Sequence, residues 1–474
     1  MKKNFEIKNS TYTGLYRFHK YWGKKPLEVN ELLISKLTKK DEIIYDPFMG
    51  GGLISRTVLT NNRKFIGTDI NPISKDLAEL FVNLPKYENF KFYYKDIEKK
   101  IKNRINESYT YKNNIVSHYL WNEKKIKEVW YKEEKKIKRV NIKSKDSEEK
   151  LTSFIKYNSK LIRKIKFFDN SRINSNKGLK LNDLFTGRAL RNIDLLISEI
   201  NSIKDPIIKK SLLLNLTSAS GQMSNMVFSI SKRKKKDQVS SDKEVGSWAI
   251  GLWRPKEHFE INVWNCFRNK VENFIKVLRN NEINNKIKVT DNINKFFSTK
   301  IPACIMNNSC LDVLKKIPKN KIQLILTDPP HSDRIPYLEL SEFWNAILQY
   351  KQSDFSKEIV VSNAKDRDKK MTNYNKDMTS FYDLSFEVLK KNGFLVLFFN
   401  ADNKESWSAI KNIKKFKFIG CFPMNYSANS IVQDNRKGSM KSDYVLIYSK
   451  SKESKITNIK NIKGFSNSLP NLHK

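Results

Sequence analysis

Cysteine is scarce in this chain. Cys266, Cys304, Cys310 and Cys421 stand among 474 residues with no C-x-x-C pair, which excludes a disulfide scaffold and a cysteine zinc ribbon. No apolar run approaches the ~18 residues of a membrane span, and the basic start MKKNFEIKNS is followed by no apolar signal-type stretch. The expectation is a soluble, cytoplasmic protein with no membrane partner. His19, His118, His258 and His331 form no helical H-x-x-x-H pair, so no metal site is expected. Neither G-x-G-x-x-G nor G-x-x-x-x-G-K-[ST] occurs. Acidic residues are in deficit, 50 against 90 basic, for a net charge of +40. Abundant Lys, Asn and Ile fit a biased, AT-rich coding sequence. Such bias leaves the shortage of acids unexplained, and sustained positive charge is the footprint of a polyanionic partner.

What is present has the grammar of an α/β sheet. From Asp41, EIIYDPFMGGG reads as a strand ending in a glycine-rich turn, LISRTVLTNN as a helix, and KFIGTDINP as a second strand closed by an acid. That succession is the first half of a doubly wound nucleotide-binding sheet. The grammar returns at IQLILTDPPH, a buried-type strand stopping at a Pro-Pro turn. It is followed by the aromatic stretch SEFWNAILQY, the helix FYDLSFEVLKKNG with Gly393 as its expected cap, and the strand FLVLFFN. FKFIGCFPMNY and DYVLIYSK read as an antiparallel pair closing the same sheet.

Residues 96–300 differ in texture and read as an inserted domain between the flanking pieces 1–95 and 301–455. They hold 45 basic against 23 acidic residues, +22 of the total charge. Residues 122–150 read as a solvated helix or arm, and Leu181 to Ala219 as two helices broken at Asp205-Pro206. The basic run Lys232, Arg233, Lys234, Lys235 and Lys236 reads as a loop. Trp248, Trp253 and Trp264 read as core of the insert, and residues 456–474 as a flexible basic tail.

Two elements carry chemistry. In DPFMGGG, Asp46, Pro47 and Phe48 precede Gly50, Gly51 and Gly52, which let backbone approach a ligand. Asp69, ending the next strand, can accept from the two hydroxyls of a ribose. With no phosphate-cradling motif, the expected ligand is a nucleoside without a bound polyphosphate. In Thr327-Asp328-Pro329-Pro330-His331, a carboxylate and a carbonyl held by the rigid turn can accept both N–H groups of an exocyclic amine. The nitrogen lone pair is then freed to attack an electrophilic methyl group. His331 is expected to stack on the base.

These motifs resemble those of the amino-methylating DNA methyltransferases, with a D-P-F-x-G-S-G loop and a D-P-P-Y motif. The likeness is nearest to adenine-specific bacterial and archaeal methylases that open with H-K-Y-W-x-x-K-P. Here that segment is His19-Lys20-Tyr21-Trp22-Gly23-Lys24-Lys25-Pro26. LFTGRALRNIDLLISEI, INVWNCFRNKV, SCLDVLKKIP, YLELSEFW and CFPMNY…RKGSMKSDYVLIYSK resemble the family's further stretches, in order. The resemblance implies a class I S-adenosylmethionine-dependent methyltransferase (Rossmann-like) sheet with a large, mostly helical insertion serving as target-recognition domain. It implies S-adenosyl-L-methionine over Asp46, Phe48 and the Gly50–Gly52 loop, Asp69 on the ribose, and Tyr21, Trp22 and Lys24 over the methionine end. Three positions depart from the pattern: His331 replaces an aromatic Tyr, Phe or Trp, Gly51 a Ser, and Ser309 an acid that often touches the adenine.

The leading expectation is therefore a site-specific DNA methyltransferase acting on adenine N6 of a flipped base in double-stranded DNA. An acid at position 328, where cytosine-N4 enzymes usually carry Ser, favours adenine. An RNA amino-methyltransferase, a cytosine-N4 enzyme and a catalytically impaired DNA-binding protein are the alternatives. C5 chemistry is disfavoured because no cysteine follows a proline. Lys232–Lys236, Arg254, Lys256 and Asn225 are candidates for phosphate or base contacts. Restriction or defence proteins are candidate partners.

Overall fold

The computed structural model describes residues 14–134, 136–142, 154, 156–233, 239–248, 251–281, 286–332, 335–399, 410, 413–424, 443–451 and 459–469. Along the chain the strands are β1 (Ile43–Asp46), β2 (Lys64–Asp69), β3 (Thr110–Tyr111), β4 (Asn114–Asn122), β5 (Lys125–Glu133), β6 (Lys136–Asn141), β7 (Ser229–Arg233), β8 (Val239–Val245), β9 (Glu257–Ile261), β10 (Val289–Thr290), β11 (Ala303–Asn307), β12 (Ile322–Thr327), β13 (Leu389–Phe399), β14 (Lys417–Met424) and β15 (Asp443–Ser449). Eight of them form one sheet in the order β10-β11-β2-β1-β12-β13-β15-β14. Neighbours run parallel except at β15, which is antiparallel to both β13 and β14. The two ends of the chain thus build one mixed α/β sheet, and the closing antiparallel pair lies where its sequence pattern put it.

Alternation explains why this sheet is covered on both faces. Ile44, Phe65, Leu324 and Leu326 enter one apolar core, whereas Tyr45, Ile66 and Ile325 enter another. β1 and β12 are adjacent, and the strand order runs outward from them in opposite directions. A crevice opens at such a switch point, beyond the carboxyl ends of the strands. Asp46, Asp69 and the turn after Thr327 all lie at those ends.

The middle segment corrects several expectations. Beside its helices, β3–β6 with β9 make a five-stranded antiparallel sheet, and β7–β8 a two-stranded one, neither of which was expected. Residues 125–141, read as a solvated helix or arm, are the β5–β6 ribbon. Val129, Trp130 and Tyr131 bury themselves there, and the Arg139 guanidinium covers the Trp130 ring at 4.1 Å. These three residues, with Ile126 and Val140 packed beside them, seat the charged ribbon on its neighbours. The two expected helices are present, Gly187–Asn201 and Pro206–Ser220. Asp205 caps the second by accepting from the Ile207 and Ile208 amides, with Pro206 in the first turn.

The boundary at 95/96 falls inside one helix, Tyr87–Glu107, and β10 returns the chain to the main sheet before 300. Gly393 is no helix cap, since the helix Met371–Val388 ends on an extended Leu389 and Gly393 lies within β13. The stretch 456–474 is not free throughout. Ile459 and Ile462 are buried, and Ser466 pairs with Cys421 of β14, so this piece covers the sheet edge. Trp248 and Trp264 are core residues as expected, whereas Trp253 is 48% exposed, its ring tilted against Phe228. Among the described residues no helix is long and apolar enough to cross a membrane.

Candidate active site

The glycine turn after β1 is held by carboxylates that it also displays. Asp69 Oδ2 accepts from the Gly50 amide at 2.7 Å, and Oδ1 from the Asn71 amide at 2.8 Å. Asp46 Oδ1 accepts from the Phe48 amide at 3.2 Å and from Thr327 Oγ1 at 2.7 Å, which ties β1 to β12. Burial raises both acids, Asp46 to about 7 and Asp69 to about 6, although these bonds oppose the rise. Gly52 stands at φ +73°, and a Cβ there would lie 2.7 Å from the Ala78 amide nitrogen. Only glycine lets the helix Leu53–Thr60 start so close to the helix Pro72–Val82.

The opening segment roofs this turn. Tyr21 lays its ring edge over Gly50 and Gly51, and its hydroxyl accepts from Asn71 Nδ2 and Ser74 Oγ, each at 3.2 Å. Lys24 Nζ donates to the carbonyls of Tyr16 at 2.6 Å and His19 at 2.5 Å, and burial, then Lys270, lowers it to about 7. Trp22 lines the same cleft but is mainly a packing residue, stacked on Trp344 at 4.9 Å and edge-on to Trp248. His19 and Lys20 face the middle segment instead. His19 Nε2 bonds Thr217 Oγ1 at 3.1 Å, and Lys20 Nζ donates to the Trp248 carbonyl at 2.7 Å. Cleft and middle segment are therefore fastened through one short stretch.

The turn after β12 brings Asp328 to the far end of the cleft. Its Oδ2 lies 3.1 Å from Lys25 Nζ, which also donates to Asp443 Oδ2 at 2.6 Å. Its Oδ1 is 3.1 Å from His331 Nε2 but has no partner in hydrogen-bonding geometry, nor does either His331 ring nitrogen. Tyr374 fixes the turn by donating to the Pro330 carbonyl at 2.7 Å. His331 is buried edge-on against Phe399 at 5.0 Å and is absent from the cleft lining, so the stacking position read for it is not the one it holds here.

One cleft, partly open to solvent, spans Gly50–Gly52, Asp46, Asp69, Tyr21, Lys24, Asp328 and Pro330. At the glycine-turn end its lining combines Asp46, Asp69 and apolar faces such as Phe48 and Ile70 with Lys24, a donor set that suits a nucleoside joined to an amino acid. The DNA methylase family model matches residues 2–80 and 322–474, the segments that supply these groups. The chain belongs to the N6/N4 DNA methylase family. No curated protein matches it. Members of this family are S-adenosylmethionine-dependent amino-methyltransferases that act on DNA.

The methylase's sequence-predicted residues thus divide. Asp46, Phe48, Gly50–Gly52, Asp69, Tyr21, Trp22, Lys24, Asp328 and Pro330 share the cleft. Ser309 also lines it and precedes the helix Cys310–Leu314. Arg254 is exposed, Lys256 pairs with Glu123 at 3.6 Å, and Asn225 bonds the Asp183 carbonyl. Lys232 and Arg233 end β7, whereas Lys234, Lys235, Lys236 and the RKGSMKS stretch lie outside the described residues. Sequence reasoning missed Lys25, Thr327 as a partner of Asp46, Tyr374, and Tyr337, whose ring stacks with Tyr21 at 6.3 Å. Only Lys25 left a trace, as the last basic residue before the proline that opens the helix Leu27–Leu37.

Proposed function

We propose that this methylase is an adenine-N6 DNA methyltransferase of the class I fold that takes its methyl group from S-adenosylmethionine. The observation that carries the reading is one cleft with a carboxylate-bearing glycine turn at one end and Asp328 and Pro330 at the other. Asp69 would hold the ribose hydroxyls, Tyr21 would cover the turn, and Lys24 would face the methionine carboxylate. S-adenosylmethionine, when bound, supplies an electrophilic methyl group. Asp328 and the Pro329 carbonyl accept from the two amine N–H groups, which keeps the nitrogen lone pair out of the ring. An acid rather than Ser at position 328 supports adenine over cytosine.

A base in a duplex reaches such a cleft only after flipping, and middle-segment residues would grip the DNA meanwhile. Its +22 charge, the exposed Arg254 and Trp253, and the run Lys232–Lys236 support that role. The test is transfer of tritiated methyl from S-adenosylmethionine to unmodified genomic DNA, with the product nucleoside identified. N6-methyladenine is expected, and N4-methylcytosine or no product would refute the assignment.

A further inference from the structure

The catalytic end holds a group that the reading above does not use. Lys25 is buried, yet its ammonium lies 3.1 Å from Asp328 Oδ2 and 2.6 Å from Asp443 Oδ2. Asp443 opens β15, the one antiparallel strand of the sheet, whereas Asp328 follows β12. Lys25 follows the opening segment's Gly23 and Lys24. Gly23 stands at φ +76°, and a Cβ there would meet Asp328 Oδ2 at 3.3 Å and the Tyr337 hydroxyl at 3.4 Å. The backbone at position 23 is thus shaped to pass close to Asp328, and two residues later the chain places a cation there.

The two Asp328 oxygens are consequently unlike. Oδ2 is engaged by Lys25, while Oδ1 is buried 3.1 Å from His331 Nε2 with no hydrogen bond formed. A buried carboxylate oxygen left unsatisfied costs free energy and calls for an explanation. We infer that Lys25 is a positioning residue: steadied by Asp443, it holds Asp328 by Oδ2 so that Oδ1 is the acceptor presented to the substrate amine. A rotating carboxylate would lose the near-attack geometry, and a misplacement of about 1 Å costs ~100-fold in rate. The charged groups facing the pair are Asp443 from β15, His331 from the same turn, and Asp46 across the cleft.

This inference rests on the proposed methyl transfer, so wild-type activity on DNA comes first. If the wild-type chain transfers no methyl group, that reading fails independently of Lys25. With activity in hand, Lys25→Met is expected to lower kcat ~100-fold while the Kd for S-adenosylmethionine stays within about threefold. Lys25→Arg, which keeps the charge, is expected to restore kcat to within about tenfold. A merely structural lysine would move melting temperature and Kd together and would give no such split. Asp443→Asn serves where Lys25→Met does not fold. It is expected to lower kcat about tenfold, again at unchanged Kd, and wild-type kcat in a folded Lys25→Met or Asp443→Asn protein would overturn the inference.

Discussion

The two ends of the cleft are built on opposite rules. At the glycine turn both carboxylates are satisfied by the protein: Asp69 by two amides, Asp46 by an amide and a hydroxyl. At the turn after β12 one oxygen of Asp328 and both nitrogens of His331 are left without hydrogen bonds, although all are buried. The first arrangement fixes a shape before a ligand arrives. The second leaves Asp328 Oδ1, the acceptor that the proposed function gives to the substrate amine, without a hydrogen bond. Preorganised binding and an unsatisfied reacting end are what a transferase needs from one cavity.

The sharpest way to break that contrast is Asp328→Ala. Transfer of tritiated methyl is expected to fall at least ~1000-fold, with S-adenosylmethionine affinity by calorimetry nearly unchanged. If affinity falls with activity, the two ends are not separable. At the binding end, Asp69→Asn is expected to weaken S-adenosylmethionine by about 10–100-fold, since a charge-assisted acceptor is lost. Burial raises Asp69 to about 6, so its carboxylate is ionised above that pH and lost as pH falls through it. Wild-type affinity should therefore decline below about pH 6, and that limb should vanish in Asp69→Asn. An unaltered limb would assign the titration elsewhere.

Two smaller effects extend the comparison outward. Removal of Lys232–Lys236 is expected to weaken DNA binding and to flatten its salt dependence by up to about 0.9 in logarithmic slope per lost phosphate contact. An unchanged slope would detach this run from the DNA. Gly51→Ser should do least. A Cβ there meets Tyr21 Cβ at 3.5 Å and Lys24 Cε at 3.7 Å, ordinary contacts, so kcat and Kd should stay within about twofold.

Much of this was readable from sequence because it is local. Asp46, Gly50–Gly52, Asp69 and Asp328-Pro329-Pro330 each sit at a strand end, and strands and turns announce themselves by period and by glycine or proline. The helix break at Asp205-Pro206 was visible for the same reason. What sequence hid depends on distant pairing. The Lys25–Asp443 contact spans 418 positions, and Thr327 reaches Asp46 across 281. The β5–β6 ribbon was misread because its charged residues outnumber the apolar ones that anchor it. Ile459 and Ile462 were overlooked because their burial depends on the sheet edge they cover, not on their polar neighbours. His331 looked like a base-stacking residue from its place after the prolines, yet Phe399 and Asp328 give it another position.

The central claim is that this cleft methylates the amine of adenine in DNA. Sequencing of modified bases in DNA from a host expressing the wild-type chain, beside one expressing Asp328→Ala, tests it most directly. The account predicts N6-methyladenine at one recurrent sequence motif in the first DNA and none in the second. Methylation on cytosine N4, or equal adenine methylation in both, would contradict it.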